Sequence, residues 1–211
     1  MTDSGKKRFL GNAYSNRTAE EVRAYYDQWA EVYDEELTEN SYQQPRRCAE
    51  ALALHLDDRS ARVLDVGCGT GLSGLALAAA GYNHIDGCDL SSGMLEKAFK
   101  TAVYSKLFTA DLNKPPLDAP DNAYGGIAAV GVFSFGHVQP DAVDEFIRVA
   151  VPGAPIVIGL NEHFHKEGSL TAKLDALAAA GLIERLSETE GEHIPGIGMS
   201  GWVITVRKSM P

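Results

Sequence analysis

The sequence predicts an α/β protein built on a doubly wound, mostly parallel sheet of seven strands, and three observations carry that prediction. Strand-like and helix-like segments alternate regularly from Arg62 onward, the pattern of a parallel sheet with helices on both faces. A glycine-rich turn, Gly67–Gly74, follows the first strand. The last two strand-like segments meet across a Gly/Pro loop, which predicts one antiparallel strand near the C-terminal end.

Taken in order, residues 1–17 carry Gly, Ser, Asn and Lys without periodicity and predict a mobile lead-in. Thr18 fits an N-cap, with Glu21 completing a capping box. The helix that follows, to about Leu37, puts Tyr25, Tyr26, Trp29, Tyr33 and Leu37 on one apolar stripe. A second helix runs from about Pro45 to Leu56, with proline in its first turn. Strands are expected at 62–66, 84–89, 103–111, 124–133 and 155–160, and helices at 72–80, 91–100, 140–150 and 169–181. Ser91 fits the cap of the 91–100 helix, and the stretch GLNEHFH reads as a loop. Two final strands lie within 182–208. The expected organisation is one domain, with 1–17 as lead-in, 18–57 as a helical cap and 58–211 as the sheet and its loops.

Composition narrows the function classes. The 211 residues are 45% apolar and 23% charged, ordinary globular values. Lys and Arg number 19 against 29 Asp and Glu, a net charge of −10. Duplex DNA is bound by neutralising phosphates with Lys and Arg, and that surplus is missing. Three cysteines without CxxC spacing predict neither a disulfide framework nor a zinc ribbon. No stretch nears the roughly 20 apolar residues of a membrane span, and the basic N-terminus has no apolar run behind it. The expectation is a cytoplasmic protein that binds neither DNA nor membrane, as a monomer or a homodimer.

The segment VLDVGCGTGLSG, 63–74, carries the chemistry. Gly69, Gly71 and Gly74 satisfy GxGxxG, and Asp89 lies 20 residues past Gly69, the spacing of a dinucleotide fingerprint. Against an NAD-dependent oxidoreductase stand Asp65, which would repel a pyrophosphate, and Gly67, which makes the pattern D-x-G-x-G-x-G. Gly67 and Gly69 let the backbone approach a ligand closely. Asp65 is suited to orient an ammonium, Asp89 to accept both ribose hydroxyls, and Asp111 adds a third carboxylate on the same rim. Three acids at successive strand ends fit an adenosyl ligand with positive charge, such as S-adenosylmethionine.

VLDVGCGTG, GCDLSSGML and TADL resemble motifs I, II and III of the class I S-adenosylmethionine-dependent methyltransferases, a Rossmann-like fold. YYDQWAEVYDEEL and GVFSFGHV further resemble the methyltransferase-like proteins of the Williams–Beuren syndrome region and their bacterial relatives. The resemblance implies Asp65, Gly67, Cys68 and Gly69 around the methionine and ribose, and Asp89 on the ribose hydroxyls. It implies Leu90 and Met94 against adenine, Asp111 and Leu112 at the adenine edge, and Val130 under the methionine end. No Asn/Asp-Pro-Pro-Tyr/Phe motif follows the fourth strand, which counts against methylation of nucleobase amines or of glutamine.

Other side chains carry alternatives. The Trp29–Tyr33 stripe reads as helix packing, or, with Tyr33 over the methionine end, as a lid. If the acceptor needs a base, His137 after the fourth strand is first choice and His163 second, since imidazole titrates near neutrality. His163 and His165, with Glu162 just before them, could chelate, yet no further ligand is evident and no metal is expected. His193 is left undecided, and Cys68 needs no nucleophilic role. The predicted function is transfer of a methyl group from S-adenosyl-L-methionine, leaving S-adenosyl-L-homocysteine, to a small-molecule O or N acceptor. A non-catalytic S-adenosyl-ligand-binding protein is the alternative.

Overall fold

The computed structural model describes residues 19–29, 31–134 and 138–211. The expected lead-in and the Thr18 cap lie outside them. Seven strands form one sheet: β1 (Arg62–Val66), β2 (His84–Asp89), β3 (Tyr104–Thr109), β4 (Gly126–Val130), β5 (Pro155–Asn161), β6 (Ile183–Ile194) and β7 (Met199–Lys208). Their order is β3-β2-β1-β4-β5-β7-β6. The first five pair in parallel. β7 is antiparallel to both β5 and β6.

Side chains along the strands alternate between the two faces of the sheet. Leu64, Val66, Ile127, Ala129, Ile156 and Ile158 join the larger core cluster, with α6 (Ala142–Val149) and α8 (Ser169–Ala179) against them. Val63, Ile85, Ala128, Val157 and Val203 face the other way, under α3 (Gln44–Ala53) and α4 (Leu72–Ala79). Leu64, Ile127, Ile156 and Ile158 are fully buried, and each such side chain stabilises the fold by about 1.5–3 kcal/mol.

Strand order reverses between β1 and β4, so their C-terminal ends diverge into a crevice, where open α/β sheets bind ligands. Two elements differ from the sequence expectation. The first helix is split into α1 (Ala19–Trp29) and α2 (Tyr33–Glu39). Val32 breaks the run, with its amide bonded to the Trp29 carbonyl at 2.9 Å. That break separates α1 from α2 while the aromatic period runs on unbroken. The expected GLNEHFH loop contains α7 (Glu162–Glu167), capped by Asn161, whose side chain accepts from the Phe164 amide. α5 (Ser92–Lys100) begins at Ser91, whose hydroxyl accepts from the Met94 amide at 3.0 Å.

Candidate functional site

The loops after β1, β2, β3 and β4 open into one cleft of about 810 Å³, counting the part exposed to solvent. Gly67 and Gly69 contribute from the first loop, Asp89 and Leu90 from the second, Asp111 and Leu112 from the third, Val130 from the fourth. Met94 reaches it from α5 and Tyr33 from α2. Residues from five separate stretches of chain therefore meet at the switch point.

Gly67 and Gly69 take φ of +64° and +54°, left-handed values that glycine adopts without penalty. A Cβ at Gly67 would fall 2.7 Å from the Val132 side chain, whereas one at Gly69 would meet nothing. Gly74, by contrast, serves packing: a Cβ there would run into the Tyr104 hydroxyl.

Asp89 holds two loops at once. One oxygen accepts from the Gly69 amide and the other from the Ser91 amide, both at 2.9 Å. A carboxylate offers about four acceptor positions, so capacity for a diol is left. Burial raises the pKa of this carboxyl above the usual carboxylate range, against the pull of the amides. Asp111 accepts from the Asn113 amide at 3.1 Å and pairs with the exposed Lys114 at 3.0 Å.

Asp65 differs from the expectation, because it does not line the cleft. It shares the Val63 face of β1, under α4, and is fully buried. Its Oδ2 accepts from the Ser73 and Tyr104 hydroxyls, each at 2.7 Å. A glycine at 87 makes room for the Tyr104 ring, which a Cβ would meet at 2.8 Å. Asp65 thus ties β1 to α4 and β3 from beneath the turn. Its Oδ1 has no partner among the described residues, and burial pushes its pKa up to about 7. Cys68 is likewise buried and outside the cleft lining.

The Asp65 environment has a measurable consequence. An acid whose pKa is raised on folding binds more protons folded than unfolded between about pH 4 and 7, so its contribution falls as pH rises through that window. Asp65→Asn removes this titration. The unfolding free energy of the wild type from urea denaturation, measured relative to the variant, is expected to drop from pH 4.5 to 7.5 by an amount of order a few kcal/mol. A pH-independent difference would overturn the assignment.

The cap helices roof the cleft. Asp27 of α1 accepts from the Ser91 hydroxyl and from the Gly93 amide. Asp34 of α2 accepts from the Thr70 hydroxyl. Each helix is thereby fastened to a different cleft loop. Between them Trp29 is buried, and its indole N–H donates to Glu36 at 2.6 Å. The Trp29 and Tyr33 rings meet edge-on at 4.6 Å, and Tyr26 stacks on Trp29 at 5.5 Å.

A second, smaller cavity of about 400 Å³, counting the part exposed to solvent, shares Tyr26, Tyr33 and Gly131 with the cleft. It is also lined by Trp29, Tyr42, Ser134, Asn161 and His193. His193 was undecided from sequence, because only the long β6–β7 hairpin and the returning cap bring it inward. His163, the second choice as base, points to neither cavity: it is exposed on α7. The turn of that short helix carries it outward while Phe164 is buried. The neighbouring His165 stacks on Trp202 at 4.0 Å and meets Glu188 at 2.7 Å. His137 lies outside the described residues.

Residues 63–153 match a family model described as a methyltransferase domain. Human (Homo sapiens) methyltransferase-like protein 27 is 35% identical over 167 residues, covering 77% of this chain and 68% of that one. Phosphatidylethanolamine N-methyltransferase of Cereibacter sphaeroides is 32% identical over 179 residues, covering 82% and 80%. The solved structure of a SAM-dependent methyltransferase from Methanosarcina mazei superposes with a TM-score of 0.59 at 17% identity, over 76% of this chain and 98% of that one.

Proposed function

The chain belongs to the class I S-adenosylmethionine-dependent methyltransferases, and from that premise we propose that its cleft holds the cofactor and that the acceptor is a small molecule. The observation that carries the cofactor assignment is Asp89. Its carboxylate stands on the cleft wall, fixed by the Gly69 and Ser91 amides, with acceptor capacity left for two ribose hydroxyls. Leu90, Met94 and Leu112 supply apolar surface beside it for an adenine, with Asp111 at its edge. Gly67, Gly69 and Val130 line the wall suited to the methionine end. The cofactor supplies an electrophilic methyl on a sulfonium, and the protein binds, orients and excludes water around it.

The small-molecule reading rests on the enclosure under the cap, where Tyr26, Tyr33 and Trp29 close over the space beside the cleft. A macromolecular acceptor would have to displace that roof. Calorimetric titration with S-adenosylhomocysteine tests the cofactor assignment, with NADH as the control that should not bind. Absence of S-adenosylhomocysteine binding at millimolar concentration would sink it.

Tyr33 is the residue proposed to close over the methionine end. Replacing it by alanine is expected to weaken S-adenosylhomocysteine binding about 10-fold, or 1.4 kcal/mol. Tyr33→Phe, which keeps the ring, should retain most of the affinity. Equal affinity in both variants and the wild type would remove the lid.

A further inference from the structure

The second cavity has a chemistry of its own. Tyr26, Trp29, Tyr33 and Tyr42 line it with Leu37 and Ile194, and Ser134, Asn161 and His193 add polar groups. Among the described residues lining it, none is Asp, Glu, Lys or Arg. Among these residues a carboxylate or phosphate finds no cation, and an ammonium no carboxylate. Flat aromatic walls favour a flat ring, in stacked or edge-on contact.

One imidazole, that of His193, is among the described residues lining this space, and it is built in. The main chain of His193 is fixed by the Gln43 amide, which donates to its carbonyl at 2.9 Å. The Tyr42 ring packs edge-on against the imidazole, 5.2 Å between centroids. Gly201 leaves room for it, since a Cβ there would come within 2.8 Å of His193 Nδ1. The residue is 3% exposed, and its Nδ1, on the Gly201 side, has no partner among the described residues.

We propose that this second cavity is the methyl-acceptor site, that it takes a neutral planar phenol, and that His193 is the catalytic residue that receives the phenol proton. The proposal rests on the cofactor occupying the adjoining cleft, with Tyr26, Tyr33 and Gly131 forming the boundary across which the methyl passes. The phenol oxygen forms the new bond to the methyl carbon. The electron pair of the broken carbon–sulfur bond stays on sulfur, which becomes a neutral thioether. The hydroxyl proton goes to the imidazole and from there to water. Positive charge is conserved in the site, because imidazolium appears as sulfonium disappears. Burial and the charge of Arg47, which donates to the Glu192 and Gly201 carbonyls, push the His193 pKa down to about 4. The ring is therefore neutral at physiological pH, and loss of the sulfonium charge as the methyl leaves favours its taking up the proton.

The test offers the full chain, with methyl-labelled cofactor, a set of single rings of matched shape: para-cresol, benzylamine and benzoate. Label is expected in para-methylanisole and in neither of the other products. Para-cresol should also shift the His193 imidazole resonances in the presence of S-adenosylhomocysteine, a readout independent of turnover. His193→Gln keeps a hydrogen-bonding side chain but takes up no proton, and should lower turnover about 100-fold with S-adenosylhomocysteine affinity unchanged. Label transferred to benzylamine or benzoate instead, or no binding of para-cresol while S-adenosylhomocysteine binds, overturns the acceptor class and leaves the cofactor reading standing. Full turnover of para-cresol by His193→Gln overturns the role of the histidine. Failure of S-adenosylhomocysteine itself to bind removes the cofactor reading first, and this proposal with it.

Discussion

Asp89→Ala is expected to lower the affinity for S-adenosylhomocysteine about 100-fold, about 2.8 kcal/mol, as read by calorimetry. The size follows from two losses in one substitution. The ribose loses the acceptor on its wall, and the Gly69 and Ser91 amides lose their common anchor. A buried amide left unpaired costs about 1–3 kcal/mol, so the loops move to find partners and the cleft loses its shape. Asp89→Asn is not expected to rescue. Its NH2 group would have to face either the Gly69 or the Ser91 amide, donor against donor. Near-wild-type affinity in Asp89→Ala would mean that the ribose sits elsewhere. Burial holds the carboxyl pKa high, so affinity should also begin to fall on acidification at a higher pH than an exposed aspartate would give.

Gly67→Ala is the second large effect, and it falls on stability and binding together. The new methyl group meets the Val132 side chain at 2.7 Å, on a backbone whose φ is +64°. The left-handed conformation costs about 1–2 kcal/mol for an alanine, and overpacking typically 1–3 more. A loss of about 3 kcal/mol in urea denaturation is expected, with S-adenosylhomocysteine binding abolished at micromolar concentration. Pairing it with Val132→Ala removes the overlap and leaves the backbone strain, so roughly half the stability should return. Gly69→Ala gives the contrast, since its φ is +54° with open space around the site. It should cost stability only through strain, about 1–2 kcal/mol. Equal losses at 67 and 69 would refute the packing argument.

Much of this architecture was legible in the chain, for local reasons. Strands such as Arg62–Val66 and Pro155–Asn161 are short apolar runs bounded by turns, and Ser91 is a capping residue before a helical pattern. Gly67, Gly69, Asp89, Leu90, Met94, Asp111, Leu112 and Val130 sit at or just past strand ends, where the fold rule alone directs them to one rim. What was not legible depends on tertiary placement. The stripe from Tyr25 to Leu37 keeps a helical period across the break, so periodicity could not reveal that the helix is split there. Asp65 looks like its neighbours on the rim, but strand alternation turns it under α4, where Ser73 and Tyr104 await it. His193 sits in a polar stretch, Glu188–Glu192, that reads as solvated, and it is buried only because Gln43 and Tyr42 come from 150 residues earlier. His163 failed for the opposite reason. A short helix where a loop was expected rotates it to the surface.

The rings of Tyr26 and Tyr33 belong to both cavities, and this fixes how two occupants must influence each other. Whatever orders the cap for one ligand has already met that part of the entropic cost for the other. The factor by which cofactor tightens acceptor binding must then equal the factor by which acceptor tightens cofactor binding. Cutting the Asp27 or Asp34 tether should shrink both factors together, so occupancy of one compartment becomes a gauge of the other.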